Sequence, residues 1–186
     1  MLRIYIRHGE KAHSNGKSES FPFDPELTEK GKELVVKRCS LLLTYGLPTV
    51  IETSPFLRAR ETAQILRDNT KSKDSITIKL NDLIGEYLGN HILSEEEIFS
   101  SLRPETLEGQ PYCNESYHSF KVRVKRFLKS FGKNNVNVKE VRWYITHGIV
   151  IKEIAKYHKY NISSNKINYL SILICNDEDG SVVFLE

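Results

Sequence analysis

The chain has 186 residues, 39% of them hydrophobic, with 27 basic and 24 acidic side chains and a formal net charge of +3 when the histidines are neutral. This is the length of one domain and the composition of a soluble globular protein, neither disordered nor membrane-spanning. Charge this close to balance lacks the concentrated basic face that nucleic-acid binding needs, and no stretch approaches the ~18 to 20 apolar residues of a membrane helix, so neither nucleic acid nor a membrane is an expected partner.

Leu2 to Ile6 reads as a short buried strand, broken by the polar, glycine-containing turn Arg7-His8-Gly9-Glu10. A polar loop runs from Lys11 to Pro25. From Thr28, a helix cap, the residues Gly31, Val35, Cys39 and Leu42 recur at helical spacing and predict an amphipathic helix ending near Gly46. Thr49 to Thr53 reads as a second strand. Ser54 and Pro55 then supply a cap and a first-turn proline for a helix with Phe56, Ala59, Ala63 and Leu66 as its buried stripe.

A third strand fits Ile76 to Leu80. The less regular region from Asn81 to Asn114 contains Gly85, Gly89, Pro104, Gly109 and Pro111, and the stretch from Gly89 to Glu115 is the expected substrate-facing insertion. Phe120, Val124, Phe127 (or Leu128) and Phe131 mark another helix. Val141 to Thr146 is a strand running into His147-Gly148, and a helix through Ile151, Ile154, Ala155 and His158 follows. Tyr169 to Cys175 and Val182 to Leu185 read as a closing hairpin around Asp179-Gly180. Strands alternating with helices predict a single three-layer α/β/α domain, residues 1 to 186, with a mostly parallel central sheet. In such sheets ligands bind beyond the carboxyl ends of the strands.

Three of those ends carry the same kind of side chain: Arg7 and His8 after the first strand, Arg58 in the first turn after the second, and His147 after a later one. Two arginines and two histidines around one point suit a tetrahedral dianion, because guanidinium forks pair with phosphate oxygens. Gly9 and Gly148 would let backbone approach the ligand.

At these residues the sequence resembles the histidine phosphatase superfamily, the phosphoglycerate mutase-like proteins. The resemblance is carried by Arg7-His8-Gly9-Glu10, by Leu27-Thr28 with Gly31, by Ser54-Pro55 with Arg58, Thr62 and Ala63, and by Thr146-His147-Gly148. Glu115-Ser116 followed by Arg123-Val124 is similar to a further family helix. The resemblance implies a phosphoglycerate mutase-like fold and a cofactor-independent phosphatase, with His8 as the nucleophile of a phosphohistidine intermediate. Arg7, Arg58 and His147 would bind the phosphoryl oxygens. The acid that protonates the leaving alkoxide falls after the third strand, where Glu86 is favoured and Asp82 is the alternative. The substrate would be a phosphorylated small molecule or a phosphoprotein.

The short stretch from Gly89 to Glu115 favours hydrolysis over mutase-type transfer to a sugar-acid acceptor. Both histidines, both arginines and a candidate acid argue against a non-catalytic phosphoprotein-binding module, which needs neither nucleophile nor proton donor. His13, His91, His118 and His158 have no metal-ligand spacing and are expected to be structural or surface residues, with His13 near the pocket mouth. The run Lys121, Arg123, Lys125, Arg126 and Lys129 reads as a solvated helix face, with a structural contact open to Arg123, and Arg60 as solvated. Phe21, Phe23, Tyr87 and Tyr112 are packing residues that border the site. Three cysteines, Cys39, Cys113 and Cys175, without paired spacing indicate neither disulfides nor a zinc site. The apolar stretch at the start meets a charged residue within seven positions, so no signal peptide is expected, and a cytoplasmic location is. The sequence carries no metal-ligand pattern, no coiled-coil pattern and no signature of oligomeric state.

Overall fold

A computed structural model of the chain describes residues 1–12, 21–89, 92–131, 140–163 and 167–186. Six strands form a sheet: β1 (Leu2–Arg7), β2 (Val50–Thr53), β3 (Thr77–Leu80), β4 (Val141–Thr146), β5 (Ile172–Asn176) and β6 (Val182–Leu185). Their order is β3-β2-β4-β1-β5-β6. The first four are mutually parallel, and β5 and β6 add an antiparallel hairpin on the β1 side. Among the described residues, six α-helices accompany them: α1 (Glu29–Leu43), α2 (Leu57–Asp68), α3 (Glu95–Ser101), α4 (Pro104–Glu108), α5 (Tyr117–Lys129) and α6 (Gly148–Tyr157).

Strand alternation divides the core into two layers. Ile4, Ile6, Trp143, Ile145, Ile172 and Ile174 pack with Val35, Cys39 and Leu42 of α1 and Ala59, Ala63 and Leu66 of α2. The intervening Tyr5, Tyr144, Leu173 and Cys175 point the other way, against Phe120, Val124 and Phe127 of α5 and Val150, Ile151 and Ile154 of α6. The three-layer α/β/α architecture and mostly parallel sheet expected from the sequence are present.

α1 starts as its sequence dictates, with the Thr28 hydroxyl accepting from Gly31 N–H at 2.9 Å. The same hydroxyl donates to Glu10 Oε1 at 3.0 Å, which pins the turn after β1 to the helix. Glycine is needed where they touch: a Cβ on Gly31 would stand 2.3 Å from the Glu10 carbonyl oxygen, and one on Gly9 2.9 Å from Val35 Cγ2. Gly9 therefore admits α1, not a ligand.

α2 departs from its expected start. It begins at Leu57, and its boundary residue Phe56 makes no side-chain cap. Ser54 is engaged elsewhere, and the cap comes from Asp24, whose Oδ1 accepts from Leu57 N–H at 2.7 Å. The irregular region of the sequence reading contains two helices, α3 and α4, with Ser94 and Glu97 forming a capping box and Pro104 opening α4. β5 starts only at Ile172, because Leu170 sits in the left-handed region with φ 60°.

Candidate active site

β1 and β4 lie side by side with Arg7 opposite Thr146, so the next residue of each strand, His8 and His147, emerges at the same place. Their ring centroids are 5.1 Å apart. β2 lies on the other side of β4, which brings Ser54 to His147, and one turn later Arg58 enters from α2. Glu86 arrives on the loop after β3. His8, Arg58 and His147 are at most 1% exposed.

The hydrogen bonds settle which ring nitrogens are available. His8 Nδ1 lies 2.8 Å from the Gly9 carbonyl oxygen, which only accepts, so Nδ1 carries the proton and Nε2 keeps its lone pair. Ser54 Oγ is 2.8 Å from His147 Nε2. Glu86 Oε2 is 2.8 Å from His147 Nδ1 but off the direction of the ring N–H, a close electrostatic contact and not an aligned hydrogen bond.

Both arginines are anchored the same way. Arg58 Nη1 donates to the Phe23 carbonyl at 3.2 Å, and Arg7 Nη1 donates to the Ile167 carbonyl. Arg7 also stacks on Tyr169, with its guanidinium carbon 4.2 Å from the ring centroid. In both, Nε is buried without a partner. On Arg58 the adjacent Nη2 reaches Glu86 Oε2 at 3.2 Å. The Nε/Nη2 edge is the one that pairs bidentately with an oxyanion, so the backbone carbonyls occupy the opposite side of each guanidinium.

Burial above all, then the Arg58 charge and His147, pushes His8 well below the ordinary imidazole value, with Glu86 opposing, and its ring is neutral. Burial lowers His147 to about 4, against the pull of Glu86. Burial by itself would raise Glu86, but His147, Arg58 and His8 outweigh it and hold the carboxyl well below the usual carboxylate range. Glu86 is thus ionised in this state, and its side chain is 24% exposed.

The structure therefore brings Arg58, Glu86 and both histidines together, and Arg7, which precedes His8 at the end of β1, shares the electrostatics of all of them. Asp82 is outside this cluster: among the described residues it contributes its backbone carbonyl to Arg123, not a carboxylate to the histidines.

Sequence reasoning passes over several participants. It reads Ser54 only as a cap. Thr62 accepts from Gly9 N–H at 3.0 Å and donates to the Arg58 carbonyl at 2.7 Å, tying the β1 turn to α2. Lys11 is half-buried, and burial first, then the Arg58 charge, lowers it below the ordinary lysine value. Its position after Arg7-His8-Gly9-Glu10 is the available signal.

For Arg123, the structural contact left open by the sequence is the one present. Arg123 does not belong to a solvated face: it is 4% exposed, paired with Glu115, and donates through Nη1 to the carbonyls of Leu83 at 2.9 Å and Gly85 at 3.1 Å. It braces the loop that delivers Glu86. Tyr87 stacks on Phe120, and Tyr112 lies under Arg123. Arg60 lines a surface groove with Lys32, Glu61 and Gln64. His118 is exposed and His158 half-buried; His13 and His91 lie outside the described residues.

One atom each from His8, Glu86 and His147 fall within 4.8 Å of one another, a spacing that suits a divalent cation. Arg58 at 3.2 Å from the same carboxylate sets a fixed positive charge against that occupant and in favour of an anion. No described helix is long and apolar enough to cross a membrane.

Residues 4–182 match the sequence profile of the histidine phosphatase superfamily, branch 1. The chain belongs to that superfamily. No curated protein is a significant sequence match. Among solved structures, this histidine phosphatase superfamily member is similar to a mycobacterial glucosyl-3-phosphoglycerate phosphatase solved with VO3, at a TM-score of 0.66 and 18% identity over 98% of this chain and 96% of that one. A protein of Thermus thermophilus gives 0.62 and 23% over 100% and 99% of the two chains. An open-reading-frame product of Mycobacterium tuberculosis gives 0.64 and 20% over 100% and 95%. At these identities the likeness is one of fold, the phosphoglycerate mutase-like α/β fold.

Proposed function

We propose that the protein is a phosphomonoesterase that works through a phosphohistidine on His8. The observation that carries this reading is the pairing of an unprotonated His8 Nε2, enforced by the Nδ1 contact of 2.8 Å to a carbonyl, with a buried, unpartnered Nε on each of two arginines. A nucleophilic nitrogen that shares the electrostatics of two arginines with free oxyanion-binding nitrogens fits attack on a phosphoryl group.

In the first step His8 Nε2 forms a bond to phosphorus as the ester P–O bond breaks, and Glu86 gives its proton to the departing alkoxide. In the second, the Glu86 carboxylate takes a proton from water, water oxygen bonds to phosphorus, and the P–N bond breaks to return neutral His8 and inorganic phosphate. Arg7, Arg58 and the His147 Nδ1–H neutralise the oxygens throughout. Glu86 starts ionised because His147 and Arg58 hold it so. A phosphoryl dianion that takes over both partners removes that hold and adds negative charge, and both effects raise Glu86 toward the protonated form the first step requires.

Glu86, at 24% exposure, is reachable by water, which favours water over a sequestered acceptor for the second step. A relative of the same fold that is a glucosyl-3-phosphoglycerate phosphatase supports a phosphorylated small molecule as the substrate class. The test is hydrolysis of p-nitrophenyl phosphate by the parent and by His8→Ala, each with and without chelator. Turnover that vanishes in the variant and ignores chelator is expected. Turnover unimpaired by His8→Ala would refute the nucleophile.

A further inference from the structure

The segment Phe21 to Asp24 lies between α2 and the short helices α3 and α4, and Asp24 is where the contacts meet. Its side chain is completely buried. Oδ1 accepts from Leu57 N–H at 2.7 Å and stands 3.7 Å from Arg58 Nη1. Oδ2 accepts from the Thr106 hydroxyl on α4. The Asp24 carbonyl accepts from Arg103 Nε at 3.2 Å, and Phe23 N–H donates to the Ser101 carbonyl at 3.2 Å.

Capping alone does not explain a carboxylate here. A local serine or asparagine caps a helix as well as a buried charge does, without the desolvation that an ionised group suffers when fully enclosed. Burial of the charge is explained by Arg58: Asp24 and the Phe23 carbonyl together hold the Nη1 side of its guanidinium and leave Nη2 to Glu86, with Nε beside it unpartnered. The same carboxylate carries α4 on its other oxygen.

We propose that Asp24 is a positioning residue that fixes the orientation of Arg58 and registers the α3–α4 segment against the oxyanion site, so that this segment sets oxyanion affinity from outside the site. The proposal rests on the oxyanion reading above.

The test measures orthovanadate affinity by titration calorimetry, together with kcat and KM, for the parent, Asp24→Asn, Arg58→Ala, the double variant and Thr106→Val. Asp24→Asn keeps the shape and the Leu57 acceptor but removes the charge. It should weaken vanadate about tenfold, the scale of one charge-assisted hydrogen bond, with most of the loss in KM. In the Arg58→Ala background it should add nothing, because its effect runs through that side chain. Thr106→Val, which leaves the carboxylate in place, should weaken vanadate about threefold through the lost α4 contact.

Additive losses in the double variant, or a lowered Tm with unchanged affinity and KM, would overturn the positioning role. Parent-like affinity in Thr106→Val would overturn the link to α4. A parent that binds no vanadate would overturn the oxyanion reading and this proposal with it, whereas a parent that binds vanadate but does not turn over would overturn only the phosphatase reading.

Discussion

His147 is contacted at both ring nitrogens, and the two contacts do different work. Ser54 holds the ring at Nε2, which leaves Nδ1 facing the ionised Glu86 carboxylate. Ser54→Ala should therefore lower kcat/KM by about tenfold to a hundredfold, the cost of a misplaced group, while the fold is retained; an unchanged kcat/KM would remove Ser54 from the site. Acid should also destabilise the fold through this ring. Unfolded, the imidazole titrates near 6.5; folded, burial holds it at about 4 despite Glu86. The folded state then binds fewer protons across that window, so the stabilisation is full above about pH 6.5 and is lost as pH falls toward 4. Buried His8 shifts in the same direction. The urea midpoint should drop steadily between about pH 7 and 4.5, and drop less steeply in His147→Asn. The two histidines and Arg58 are legible because each follows a strand end. Ser54 and Asp24 are not: Ser-Pro before a helix looks like a local cap, whereas the helix is capped from a loop far earlier in the sequence.

Two elements hold the site by backbone contact. Arg123 of α5 and Glu115 form a nearly dry pair, 3% and 7% exposed, whose guanidinium also ties the carbonyls of Leu83 and Gly85 next to Glu86. Arg123→Met should cost about 3 to 5 kcal/mol in urea unfolding, because it strands the Glu115 charge, and Arg123→Met with Glu115→Gln should recover part of that loss. Displacement of the acid loop should also slow alkyl phosphates more than aryl phosphates, whose leaving groups need little protonation. Gly31→Ala should destabilise by about 1 to 3 kcal/mol, since its Cβ would sit 2.3 Å from the Glu10 carbonyl and force apart α1 and the turn that bears His8. The helical stripes of α1, α5 and α6 are readable from their spacing. Arg123 is only partly readable: it is interleaved with basic residues in the sequence, yet on the helix it lies beside the stripe of Phe120, Val124 and Phe127 and across from Lys121 and Lys125, and its packing against the Glu86 loop is what separates it from them.

Across the molecule, the site exists because β1 and β4 are neighbours and parallel, with β2 next to β4. Alternating strands and helices predict the layers and the end of the sheet that carries the residues. They do not contain the strand order, which places the fourth strand between the first two and so makes His8 and His147 adjacent. Glu86 is partly open, with its side chain 24% exposed, and release of inorganic phosphate should accordingly be independent of added glycerate or other hydroxyl acceptors; a rate that rises with acceptor, with phosphorylated acceptor formed in place of phosphate, would favour transfer.

A phosphoryl group that passes through His8 must be found on it during turnover. Mixing the parent with p-nitrophenyl phosphate, quenching within one turnover in denaturant at neutral or alkaline pH and measuring intact mass tests this most directly. A single acid-labile phosphoryl adduct that maps to His8, and a matching burst of nitrophenol, is the predicted result. Turnover with no adduct at any quench time, or with an adduct that persists in His8→Ala, would contradict it.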